Sequence, residues 1–77
     1  MKRKSTKQPD YPKMVEQILA AGVSQIEFGA ALGIAMTDRM LVAYRGLRQP
    51  LPSRAAAIES LWLKTTGKKR IPMTAAA

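Results

Sequence analysis

A chain of 77 residues suffices for one small domain with a single core, and with no cysteine it has neither a disulfide framework nor a thiolate for nucleophilic or metal chemistry. Thirteen lysines and arginines against five acids give a formal net charge of +8, which implies a polyanionic partner, nucleic acid being the commonest. No apolar stretch approaches the ~20 residues of a membrane span, and the basic N-terminal run is not followed by the apolar core of a signal peptide, so a cytoplasmic protein without membrane contact is expected.

Residues 1–9, MKRKSTKQP, carry Lys2, Arg3, Lys4 and Lys7 with only Met1 apolar, so nothing there offsets the entropy of ordering. They read as a basic flexible arm, which either lies along phosphates or enters a minor groove, or is a solvated tail. A domain of residues 10–67 follows. Asp10 or Tyr11 caps a first helix opened by Pro12, whose missing N–H has no helical partner at that position. Met14, Val15, Ile18 and Leu19 form its apolar stripe, Lys13, Glu16 and Gln17 its wet side, and Gly22 its end.

Ser24 to Arg45 reads as two short helices joined by a turn. Ser24 with Glu27 three residues on makes a capping box, Val23 and Phe28 are spaced as a hydrophobic staple, and Gly33 stands where a left-handed residue closes the helix. Gly29, beside Phe28 and Leu32, lacks the side chain that would hold a second helix away. Thr37 caps the next helix, Asp38 puts a negative charge in its first turn, and Arg45–Gly46 ends it. Leu41 and Tyr44 would point inward, leaving Asp38, Arg39, Met40, Val42 and Ala43 outward. In a helix-turn-helix the N-terminal half of the second helix enters the major groove, where arginine bonds two acceptors on guanine and apolar groups touch the thymine methyl. Arg39 is the best single candidate for reading a base.

The run Gly46 to Pro52 holds a glycine and two prolines that forbid a continuous helix. Ser53 then caps a last helix, residues 54–66, with Ala57, Ile58, Leu61 and Trp62 on one face and Gly67 at its end. Trp62 is either a plug in the core or an anchor in a dimer interface, and Leu63 points to another side, open to a subunit contact. Lys68, Lys69 and Arg70 begin a tail, 68–77, that is basic and then featureless and disordered from Ile71 onward. The expected fold is an all-α bundle of four to five short helices containing the helix-turn-helix, with basic flexible termini.

Gln25, Gly29, Leu32, Gly33, Ile34, Thr37, Leu41 and Tyr44, followed by YRGLRQPLP, resemble the Cro/C1-type helix-turn-helix family of phage and plasmid regulators. Many members show Q-x-x-x-A-x-x-L-G-[IV]-[ST], a recognition helix ending in an aromatic, a loop with Arg and Pro, and a further helix. The match covers about residues 12–66 and is also similar to the small autoregulatory repressors encoded beside anti-CRISPR genes. Two departures stand out. Ala35 and Met36 must be extra residues in the turn, because without them Arg39 falls at an inward apolar site where an unpaired charge is costly. Glycine replaces the family's alanine at position 29, a mild change if both permit close approach.

The resemblance implies a homodimer on a palindromic operator in double-stranded DNA. It places Asp38, Arg39, Met40, Val42 and Ala43 at base edges and Gln25, Thr37, Arg45, Arg48 and Gln49 on the backbone, with Lys2, Arg3 and Lys4 of the arm adding to them. Trp62 and Leu63 are then the dimer candidates. The chain lacks histidine as well as cysteine, and its acids, Asp10, Glu16, Glu27, Asp38 and Glu59, are spread over separate elements, so no catalytic site, metal site, cofactor or small-molecule substrate is expected. The leading reading is a transcriptional repressor. The alternative is a protein-interaction module whose Met40–Val42–Ala43 face docks on an acidic partner.

Overall fold

The computed structural model describes residues 8–74. Four helices, α1 (Tyr11–Ala20), α2 (Gln25–Leu32), α3 (Asp38–Gly46) and α4 (Pro52–Thr66), form an all-α bundle, with a two-stranded ribbon of β1 (Gln8–Pro9) and β2 (Met73–Thr74) joining the ends of the described chain.

Local chemistry sets the helix limits. The Asp10 carboxylate accepts from the Lys13 N–H at 3.2 Å and caps α1, in which Tyr11 takes the first position and Pro12 the second. Ser24 and Glu27 form the capping box reciprocally: the Glu27 N–H donates to Ser24 Oγ at 3.1 Å, and the Ser24 N–H donates to Glu27 Oε1 at 2.9 Å. These hydrogen bonds, that from the Ser24 backbone foremost and the Ser24 hydroxyl next, hold the Glu27 carboxyl below the usual range. Gly33 ends α2 in the left-handed region at φ 76°, which only glycine adopts without penalty. Thr37 Oγ1 accepts from the Met40 N–H at 3.1 Å and caps α3.

α4 departs from the expected start. Its cap is Leu51, which makes no side-chain bond; Pro52 is the first helical residue and Ser53 lies inside the first turn. Proline's fixed φ is already helical, so the helix begins there and the Leu51 carbonyl accepts from Ala55 at 2.7 Å. A serine cap is not needed one residue later.

Trp62, Phe28, Met14, Ile18, Ile58 and Val15 are fully buried, and Leu32, Met36 and Tyr44 complete the core. Each large apolar side chain so buried contributes about 1.5–3 kcal/mol before conformational entropy is subtracted. α1 packs against α4 and α3, and α2 against α4. Phe28 of α2 and Tyr44 of α3 meet edge to face, centroids 6.1 Å apart and planes at 85°. Gln17, expected on the wet side of α1, is half-buried instead, because its Oε1 accepts from the Trp62 indole N–H at 2.7 Å and satisfies the core's one indole donor.

The termini also differ from expectation. Ile71 packs against the core, Asp10 N–H donates to the Pro72 carbonyl at 2.8 Å, and Gln8 and Pro9 oppose Thr74 and Met73. Ile71–Thr74 is therefore ordered chain and not a disordered tail, and Gln8–Pro9 belongs to the folded unit and not to an arm. Residues 1–7, with Lys2, Arg3 and Lys4, and residues 75–77 lie outside the described residues.

Candidate nucleic-acid interface

The turn between α2 and α3 runs from Gly33 to Thr37, five residues, and so keeps Ala35 and Met36 in the turn. Met36 is buried in the core, and the turn wraps over Gly29: Ile34 N–H donates to the Gly29 carbonyl at 2.9 Å. The neighbour that requires Gly29 is therefore this turn and not the body of a crossing helix. A Cβ on residue 29 would meet the Ile34 carbonyl oxygen and Met36 Cβ at 2.7 Å and the Met36 nitrogen at 2.9 Å, so alanine does not fit unless the turn shifts. Glycine for alanine is not a mild change here.

Gln25 braces the same turn. Its Nε2 donates to the Met36 carbonyl at 2.9 Å and the side chain is half-buried, so one of its two amide hydrogens is used inside the fold. This bond and the Met36 side chain set where α3 starts. Thr37 is exposed beside it, its oxygen occupied as a cap acceptor and its hydroxyl proton free to donate outward.

α3 presents Asp38, Arg39, Val42, Ala43 and Arg45 to solvent, while Tyr44 is buried and Leu41 half-buried beneath them. Met40 is corrected: it is half-buried and packs against the core, because the longer turn rolls it toward the seam beside Leu41. Val42, 69% exposed, is the most prominent apolar group on the outward face. Arg48 and Gln49 are exposed in the connection to α4.

Arg54, which sequence reading passed over, sits half-buried in the first turn of α4 and donates to the Tyr44 hydroxyl at 2.9 Å. It pins the buried end of α3 to α4. Its signal in the sequence is composition: between Lys13 and Lys64 every cation is arginine, Arg39, Arg45, Arg48 and Arg54, whereas both ends of the chain are lysine-rich. Arginine's planar fork matches phosphate and guanine acceptors in a way that lysine does not.

Trp62 is 1% exposed with its N–H bonded inside the core, so it offers no surface to a partner and cannot anchor a dimer. Leu63 is 40% exposed and stays available. Ile26, 81% exposed on α2, and Leu51, 64% exposed before α4, are apolar surface groups that periodicity did not flag. A shallow groove lined by Ala31, Ala57, Ser60, Leu61 and Lys64 holds one hydroxyl and one ammonium but no carboxylate. Among the described residues no three acidic side chains converge as a metal site would need, and no helix is long and apolar enough to cross a membrane. No protein-family model, curated protein or solved structure matches the chain.

Proposed function

We propose that this protein is a sequence-specific double-stranded-DNA-binding transcriptional regulator, a repressor that occupies a palindromic operator as a homodimer, with α3 in the major groove. The observation that carries the reading is the outward face of α3, where Arg39 and Arg45 stand exposed at the end of a turn braced by Gln25 and Met36. Arg39, one residue inside the Thr37 cap, reaches base edges with Asp38, Val42 and Ala43 beside it. Arg45, Arg48, Gln49 and the free proton of Thr37 contact phosphates, and the net charge of +8 supplies sequence-independent attraction. Two copies read half-sites about one helical turn apart, with Leu63 at the contact between subunits. The protein acts by binding in the cytoplasm and not by catalysis.

Fluorescence anisotropy on duplexes from upstream of its own gene, against scrambled duplexes across a salt series, tests the reading. A preference surviving at physiological salt, with two subunits per site, supports it; equal binding that collapses with salt refutes it. Arg39→Ala should weaken the preferred site by about 1–3 kcal/mol while sparing the scrambled one.

A protein-interaction module is the second reading, favoured by the exposure of Val42 and Ile26. Its signature is a partner complex that Val42→Asp disrupts and Arg39→Ala leaves intact.

A further inference from the structure

The lysine-rich runs stand at opposite ends of the sequence, yet the ribbon fastens them to one edge of the bundle. Lys68, Lys69 and Arg70 are exposed between α4 and β2, and Lys64 is exposed in the last turn of α4. Lys7 directly precedes Gln8, with Lys2, Arg3 and Lys4 shortly before it. The C-terminal run enters the ribbon at its Asp10–Pro72 end, and the N-terminal run leaves it beyond Gln8–Thr74.

The ribbon is built to hold despite its length. Asp10 N–H donates to the Pro72 carbonyl, so by antiparallel alternation the pair Gln8–Thr74 is also hydrogen-bonded and Pro9–Met73 is not. Pro9 thus falls where no N–H is required and Pro72 acts only as an acceptor. Ile71, packed against the core, anchors the returning strand. Arg70 lies three residues before Met73, at most roughly 10 Å along the chain, which is the scale of the screening length at 0.1 M salt, ~10 Å.

Two cationic runs held this near repel each other, and two residues per strand make a marginal pairing. Asp10 does little to neutralise them, since its carboxylate already caps α1. A polyanion tracking along the ribbon removes the repulsion and is contacted by both runs at once. We propose that the β1–β2 ribbon joins the two basic runs into one composite surface for the phosphodiester backbone of duplex DNA. The inference rests on the reading above only for the identity of the polyanion.

Thr74→Pro and Gln8→Pro each remove an N–H from the bonded pair without changing charge, and Lys68→Ala/Lys69→Ala/Arg70→Ala removes charge without touching the ribbon. Each full-length variant is titrated by anisotropy with a random-sequence duplex across salt, with Trp62 emission and thermal unfolding reporting the bundle. Thr74→Pro and Gln8→Pro should weaken binding at low salt by about fivefold and flatten the salt slope, each lost phosphate contact lowering it by about 0.9. Combined with the triple alanine change, either should lose less than the product of the separate effects. Unchanged affinity and slope in both proline variants, their bundles intact, would overturn the inference. So would parent chain that binds polyglutamate as tightly as the duplex. Absence of any sequence preference defeats the regulator reading alone, because this surface is read on random duplex.

Discussion

Gly29 and Met36 lie so close that no side chain fits between them: a Cβ on Gly29 would stand 2.7 Å from the Met36 Cβ, with two backbone atoms of the turn equally near. The turn presses on α2 at this point, and Gln25 holds the same carbonyl segment from the other side. Gly29→Ala gains up to ~1 kcal/mol of helix propensity but must displace backbone, and overpacking of this kind costs about 1–3 kcal/mol. Net destabilisation is expected, read as a lower midpoint in urea at unchanged slope. A variant as stable as the parent would mean that the turn yields freely.

Trp62 and Gln17 give a second test, because the indole N–H in the core has the Gln17 amide oxygen as its partner. Gln17→Leu leaves that donor unsatisfied and should destabilise by about 1–3 kcal/mol. Gln17→Glu retains an acceptor and should lose less. Denaturant unfolding followed by the emission of the single tryptophan measures both; equal losses would show that the side chain matters for its packing and not for its oxygen.

How far these features could be read from residues alone follows from their range. The capping box of Ser24 and Glu27, the Thr37 cap and the Gly33 stop are bonds across three or four positions, so spacing discloses them. Ser53 misled because a serine before an apolar run looks like a cap, while Pro52 had already supplied the helical backbone. Met36 belongs to no periodic stripe, and its burial depends on where the turn folds over Gly29. The pairing of Gln8 with Thr74 spans almost the whole chain through two-residue strands that contain or adjoin proline, so neither alternation nor propensity marks it. Arg54 and Tyr44 sit on different helices, and nothing in the spacing of ten residues announces their contact.

Alkaline stability should depend on Tyr11. Burial first, then its hydrogen bond and charge interaction with Glu59, raise the Tyr11 pKa from 10.0 to about 12. The folded state therefore holds this proton more tightly than the unfolded chain. The resulting stabilisation is fully present below pH 10 and is lost as pH rises from there through about 12. Tyr11→Phe removes the titrating group. The difference between parent and variant urea midpoints should stay constant below pH 9 and shrink above pH 10; a difference independent of pH across that window would count against the Tyr11–Glu59 coupling.

The contact of Arg54 with Tyr44 bears on sequence reading without touching a base. Tyr44 is buried edge-on against Phe28, and its hydroxyl is tied to α4 through the Arg54 guanidinium, so the pair fixes the roll of α3 on the bundle. Tyr44→Phe keeps the ring and removes the acceptor; Arg54→Met keeps the apolar stem and removes the donor. Each should destabilise by about 0.5–1.5 kcal/mol, and the double variant should lose less than the sum. If α3 reads DNA, both should lower the ratio of operator to scrambled binding by the same factor, because both loosen the helix that carries Arg39. Arg48→Ala, by contrast, should weaken both duplexes equally and leave that ratio unchanged. A ratio unmoved by Tyr44→Phe, despite a measured loss of stability, would show that the roll of α3 does not set specificity.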